Sequence, residues 1–313
     1  MTTRRPRVEG RPASDQGVSI PKYLLLSICL SVAYTEPFPA ATGADLIPQR
    51  GWTLLVLNPS TFDGIKEEQT RRQDGADSFG RAPMMLAAAG FDKSGPTPYP
   101  KNEKDWPGVG VIRVFSFMTQ NRQYFWSQRQ INQGAVVFVG DSNIGEWKTL
   151  NDDFVPLHVA NVGIGGDVSR GLLFRLKEDV IDLTPKAVVI LVGSNDMSAK
   201  EDLALLMSNL TSIWKALRDY SHSLPIVLCK LPPRDNPEAP VSTRDVLDLN
   251  SRLDRLSKSD SKLALLDLYQ LLALPDGSLD PKNFHEDKLH ISPAGYKKFH
   301  DALLPIFRRL NVE

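Results

Sequence analysis

Val136-Val137-Phe138-Val139-Gly140-Asp141-Ser142-Asn143 is a run of four apolar residues, a glycine and a small polar cluster. Three of the four apolar residues are β-branched, which predicts a short buried strand that ends at Gly140. Ser142 then falls just past the carboxyl end of that strand, where open α/β sheets place their ligands. Taken alone, Ser142 reads as a turn residue or a helix cap. The loops after the other strands bear on whether it is more.

Downstream, the pattern alternates regularly. Strands are expected at residues 157–162, 187–192, 225–229 and 263–268. Helices are expected at 169–181, 202–220, 243–257 and from Ser292-Pro293 to about Leu310. The run 187–192 is continuously apolar, as a strand covered on both faces must be. Strand and helix alternate through about 200 residues, which predicts a doubly wound parallel α/β domain. Upstream, residues 112–130 read as a helix whose aromatics, Phe115, Phe117, Tyr124, Phe125 and Trp126, are expected in the core. Residues 95–110 are rich in Pro, Gly and Lys and read as loop. A strand at 52–57 and a short helix at 82–89 complete the N-terminal half.

Lys plus Arg and Asp plus Glu stand at 37 each in a chain of 313 residues, so the net charge is zero. That argues against nucleic acid as a partner. Apolar content is 42%, enough for a large core. Neither the two cysteines, Cys29 and Cys229, nor the histidines show metal-ligand spacing. At the N-terminus, Arg4, Arg5, Arg7, Arg11 and Lys22 precede twelve mostly apolar residues, 23–34. A basic region ahead of so short a run fits a secretory signal better than a membrane span. Export to the periplasm or medium is therefore expected, with membrane contact only through this segment if it stays uncleaved. The cleavage site is poorly marked. Three regions result: a targeting segment at 1–43, an N-terminal extension at 44–110, and the α/β domain at 111–313.

Functional residues of such a sheet gather on the loops after its strands. Those loops carry Gly140-Asp141-Ser142-Asn143, then residues 161–167 (Asn-Val-Gly-Ile-Gly-Gly-Asp), then Gly193-Ser194-Asn195-Asp196, and finally Asp287-Lys288-Leu289-His290. One edge would thus hold a hydroxyl, a glycine-rich amide nest, an amide side chain and an Asp/His pair. Acyl transfer needs a set of this kind. Of the five histidines, His222 follows a helix that returns to the opposite edge, although Asp219 stands three residues before it. His158 begins a strand and His300 lies within a helix. His285 is on the right loop but has no acid three residues earlier. His290 is the base favoured by position. The dinucleotide fingerprint fails because Val168 occupies its third glycine, and Gly145 comes one residue too late for a Gly-x-Ser-x-Gly elbow.

Together, the four ordered blocks resemble the SGNH, or GDSL-type, hydrolase family. The run 161–167, Arg175-Leu176-Lys177 and residues 231–234 (Leu-Pro-Pro-Arg) look like the catalytic subunits of platelet-activating-factor acetylhydrolase within it. The resemblance covers residues 136–310. It implies a flavodoxin-like three-layer α/β/α fold with a five-stranded parallel sheet. It also implies a carboxylic ester hydrolase that works without cofactor or metal. Carried onto this chain, Ser142 is the nucleophile, His290 its base and Asp287 the residue that orients His290. The oxyanion donors are the Ser142 and Gly166 backbone N–H groups and the Asn195 side chain. Asn143 departs from the family, which usually has an apolar residue after the serine. The expected substrate is a short acyl ester, acetyl foremost, of a carbohydrate or a lipid. An O-acyltransferase on a sugar and a lysophospholipase-type lipid esterase are the alternatives. Trp147 reads as core, with a sugar-stacking face as its other use.

Overall fold

The computed structural model of the protein describes residues 94–312. The targeting segment, the strand expected at 52–57 and the helix expected at 82–89 lie outside the described residues.

Five strands form one parallel sheet: β1 Val136–Gly140, β2 Val159–Asn161, β3 Ala187–Leu191, β4 Ile226–Lys230 and β5 Leu263–Asp267. Their order is β2-β1-β3-β4-β5. Val136 of β1 lies opposite Val159 of β2 and Ala187 of β3. Every residue of β1 and β3 is buried, which is why both read as unbroken apolar runs. The chain reverses its direction of winding between β1 and β3, and that opens a crevice at their carboxyl ends. Gly140 ends β1 at φ 158°, and a Cβ there would overlap the Leu191 carbonyl oxygen of β3. Only glycine lets the two strand ends come so close.

Nine α-helices are described: α1 Ser116–Gln128, α2 Ser142–Gly145, α3 Leu150–Asp153, α4 Ser169–Asp179, α5 Ser194–Ser198, α6 Leu203–Tyr220, α7 Thr243–Ser257, α8 Leu268–Leu272 and α9 Pro293–Leu310. α4 packs on α6, α6 on α7, and α7 on β4 and β5. α9 covers Phe138, Trp147 and Phe154 with Tyr296, Phe299 and Phe307. The sheet is therefore sandwiched in three layers, α/β/α. α6 follows its apolar spacing, with Leu206, Leu210, Ile213 and Leu217 buried, and Asp202 caps it by accepting the Ala204 N–H. α9 opens as its sequence predicts: Ser292 accepts the Gly295 N–H and Pro293 takes the first turn.

Two expectations change. The helix expected at 112–130 begins only at Ser116. Ahead of it, Phe115 is extended (φ −109°, ψ 154°). The preceding backbone is held away from helical geometry by side chains of other elements. Asn209 bonds both the N–H and the carbonyl of Val109, at 3.0 and 2.8 Å. Arg170 takes the carbonyls of Pro107 and Gly110, at 3.0 and 2.6 Å, and Glu201 takes the Val111 N–H. Residues 95–115 thus form a strap pinned across α4 and α6. Its Tyr99 and Trp106 stack on each other and tilt onto Phe174 of α4.

The second change concerns the aromatics of α1 and its approach. Phe115, Phe117 and Tyr124 are exposed and not core. The helix packs on α4 and buries Met118 and Arg122, and these aromatics lie away from that contact. Trp147, in contrast, is 1% exposed and stacks on Tyr296 at 4.9 Å, so it offers no face to a sugar.

Candidate active site

Asp141, Ser142 and Asn143 form a turn whose three side chains point to three different tasks. Asp141 caps α2: its Oδ1 accepts the Asn143 N–H at 3.0 Å. The cap leaves the Ser142 N–H unused, and among the described residues that N–H donates to no protein acceptor. Burial pushes the Asp141 carboxyl up to about 7, against the Asn143 N–H and the charges of His290 and Arg234.

Ser142 Oγ lies 2.9 Å from His290 Nε2, and His290 Nδ1 lies 2.5 Å from Asp287 Oδ2. Asp287 also accepts the backbone N–H groups of Leu289 and His290 through Oδ1, both at 3.0 Å. Partial burial opposes ionisation of Asp287, but these hydrogen bonds outweigh it and hold its carboxyl below the usual range. An ionised Asp287 fixes the tautomer with the proton on Nδ1. Nε2 then presents its lone pair to the Ser142 hydroxyl. The Asp-x-x-His spacing works because the Asp287 carboxylate caps the tight turn that brings His290 back over it. His285 and His222 are exposed and neither bonds Ser142. His300 packs edge-on against Phe154.

The second loop reaches the same place. Asn161 donates to the Ile144 carbonyl of α2 at 2.7 Å and accepts the Gly163 N–H at 3.0 Å, so the loop after β2 is tied to the Ser142 helix. Gly165 lies against Ser142: a Cβ on it would stand 4.0 Å from the Ser142 Cβ. Gly166 follows at φ 75°, in the left-handed region that glycine adopts at least cost, and its N–H also lacks a protein acceptor among the described residues. Asn195, at the start of α5, donates from Nδ2 to the Asp167 carbonyl at 3.0 Å, which seats it beside Gly166. Its neighbour Asp196 is buried, accepts the Ser169 N–H and hydroxyl, and is pushed by burial up to about 6. The structure therefore brings Ser142, Gly166, Asn195, Asp287 and His290 to one edge of the sheet. A hydroxyl with an imidazole acceptor, beside free N–H donors, can pass a proton from Oγ to Nε2 as a new bond forms. Among the described residues, no group of three His, Cys, Asp or Glu side chains is placed to hold a metal ion.

Four features of the site have no clear signal in the sequence. Glu146 places Oε1 3.7 Å from His290 Nε2. Phe115 and Phe117 stack at 5.5 Å beside the Gly165–Gly166 turn, where a Cβ on Gly166 would stand 3.1 Å from the Phe115 ring and one on Gly165 3.9 Å from that of Phe117. Arg113 donates to Asn195 Oδ1 at 3.3 Å. The fourth is Asn143, whose departure from the apolar norm was visible but whose role was not. It is 3% exposed, its Oδ1 accepts the Ile291 N–H at 3.0 Å, and its carbonyl accepts the Tyr296 hydroxyl at 3.1 Å. Asn143 thus clamps the Ser142 turn to the residue after His290, across 148 positions of sequence. Asn143→Leu strands the buried Ile291 N–H. It should cost about 1–3 kcal/mol in urea unfolding and lower kcat more than it raises KM. An unchanged midpoint together with unchanged kcat would show that the clamp does not hold the site together.

Comparison with known proteins gives the family of the chain. The model of the GDSL-like Lipase/Acylhydrolase family matches residues 134–298. Platelet-activating factor acetylhydrolase IB subunit alpha2 of Rattus norvegicus is 30% identical over 187 residues, 57% of this chain and 78% of that protein. The same subunit of Gallus gallus is 26% identical over 208 residues, 63% of this chain and 86% of that protein. Among solved structures, a GDSL-like lipase from Bacteroides thetaiotaomicron superposes with a TM-score of 0.53 at 21% identity, over 59% of this chain and 97% of that one. That likeness bears on the fold. The family match spans all four loops that converge on Ser142, and by it this chain belongs to the GDSL-like lipase/acylhydrolase family, the SGNH hydrolases, as an ester hydrolase.

Proposed function

We propose that the protein is a serine esterase that removes short acyl groups, acetyl foremost, from a carbohydrate or lipid ester. The observation that carries this reading is the relay from Ser142 Oγ to His290 Nε2 at 2.9 Å and from Nδ1 to Asp287 at 2.5 Å. His290 takes the Ser142 proton as Oγ attacks the ester carbonyl. The tetrahedral oxyanion is met by the Ser142 and Gly166 N–H groups and by the second N–H of Asn195 Nδ2. His290 then gives its proton to the departing alcohol, and water repeats the sequence on the acyl-enzyme.

The short acyl preference is supported by the relatives, which are named acetylhydrolases. It is also supported by the Phe115/Phe117 pair, which walls the loop beside Ser142. Glu146, near the atom that protonates the leaving alcohol, disfavours an anionic alcohol there. A panel of p-nitrophenyl esters of rising acyl length tests the acyl side. Acetyl should turn over at least about tenfold faster than octanoyl, and a rate that climbs with chain length would sink the preference. Acetylated sugars assayed beside acetylated lysolipids, with released acetate measured, separate the two alcohol classes and distinguish hydrolysis from transfer.

Asn195→Ala tests the oxyanion assignment. Loss of one such donor should slow kcat by about 10²–10³-fold with the melting temperature held. Full kcat in that variant would remove Asn195 from the mechanism. Export is part of this reading, on the strength of the basic residues ahead of residues 23–34. Fractionation of expressing cells checks it, and a wholly cytosolic protein would refute it.

A further inference from the structure

We propose that Arg113 is a positioning residue that fixes the Asn195 amide in its donating orientation. The proposal rests on Asn195 being an oxyanion donor. An asparagine amide can turn over with little change in shape, which exchanges its donor and its acceptor. Only one of the two orientations aims N–H groups at the oxyanion. In the observed orientation Nδ2 donates to the Asp167 carbonyl at 3.0 Å, and Arg113 Nη1 donates to Oδ1 at 3.3 Å. Turned over, Asn195 would set its oxygen against the Asp167 carbonyl and its NH₂ against a guanidinium. Both contacts would become repulsive, so the two partners select the same orientation.

Arg113 is well built for this task. It sits on the strap, whose backbone is held by Asn209, Arg170 and Glu201 only two to six residues before it. Among the described residues it has no ion-pair partner, while Arg122, Arg170 and Arg175 on the neighbouring elements are all paired with carboxylates. Among the described residues no carboxylate cancels its charge at ion-pair distance. A cation on Oδ1 draws electron density from the amide and makes the Nδ2 hydrogens stronger donors to a developing oxyanion. Arg113 also precedes the family match at residues 134–298, so this part of the site comes from the strap and not from the shared core.

The test is a kinetic cycle on the full chain with p-nitrophenyl acetate. Arg113→Ala should lower kcat about tenfold while KM stays within about twofold. Arg113→Lys, which keeps the charge but not the fork, should fall between Arg113→Ala and the parent. Millimolar guanidinium should restore part of the lost kcat in Arg113→Ala and none in Asn195→Ala. In an Asn195→Ala background, adding Arg113→Ala should cost little more, because Arg113 acts through that side chain. The proposal is overturned if Arg113→Ala leaves kcat intact, or if its loss is undiminished in the Asn195→Ala background. Should Arg113→Ala fail to fold, Arg113→Gln and Arg113→Lys carry the same cycle, with melting temperatures recorded. If Asn195→Ala itself is fully active, the oxyanion reading fails first. If Asn195→Ala is impaired and Arg113→Ala is not, this proposal alone fails.

Discussion

Ser142→Ala should abolish ester hydrolysis, with kcat expected to fall by about 10⁴–10⁶-fold and the fold to stay unchanged. The substitution removes one oxygen. The Ser142 N–H stays at the start of α2, and Asp141 still caps that helix through the Asn143 N–H. His290 keeps its bond to Asp287 but has no hydroxyl to deprotonate. What survives is the modest acceleration that oxyanion donors and substrate binding supply without a nucleophile. The measurement is hydrolysis of p-nitrophenyl acetate above the buffer rate, with a thermal melt as the control. A serine-directed fluorophosphonate should label the parent at Ser142 and leave the variant unlabelled. Activity within tenfold of the parent would mean that another group attacks the ester.

Arg175→Met should have its large effect on stability. Arg175 is fully buried and makes four contacts at once: Asp167 at 2.8 Å, Asp179 at 3.4 Å, the Val162 carbonyl at 2.8 Å and the Gly140 carbonyl at 3.1 Å. Two of these partners are backbone of the loops that carry Ser142 and Gly166. Methionine fills much of the volume but leaves two buried carboxyls without their shared guanidinium, and Asp179 keeps Arg122 at 3.3 Å. Breaking a buried ion pair from one side costs about 3–5 kcal/mol. Against a total of about 5–15 kcal/mol, that is enough to leave the domain partly unfolded at ambient temperature.

The pH dependence has a definite sign. Burial already pushes Asp167 and Asp179 upward, and the Arg175 guanidinium opposes that push. Without Arg175 both carboxyls hold their protons to higher pH in the folded state than in the unfolded one. A group with a raised folded-state value contributes stability that is lost as pH rises through that value. The deficit of Arg175→Met should therefore be smaller near pH 5 than near pH 8. Urea unfolding at the two values measures it. A shift of under about 1 kcal/mol at pH 8 would show that the carboxyls find other partners.

Much of the frame was legible before any coordinates. β1 and β3 read as strands because burial on both faces demands unbroken apolar residues. α7, Thr243–Ser257, matched its sequence bounds because Val246, Leu249 and Leu253 mark one face. His290 could be told from His222 because strand polarity alone assigns each to an edge. α1 was misjudged at its start and in its aromatics. The period of residues 112–115 is compatible with a helix, and nothing local records that Asn209 and Glu201, some 90 to 100 residues on, bind the backbone N–H groups of Val109 and Val111 just before them.

The succession of strands and helices along the chain, the edge on which the loops meet and the residue types delivered to it are all written in local pattern. Apolar periodicity, capping residues and the direction of a parallel strand are enough to read them. How those residues are held is a matter of contacts that form on folding. Asn143 meets Ile291, Arg175 spans two loops, and Arg113 of the strap meets Asn195 at the start of α5. Each of these is a directional contact between groups remote in sequence. It exists only when sheet order and loop path bring donor and acceptor to within about 3 Å, and no periodicity of the chain records that.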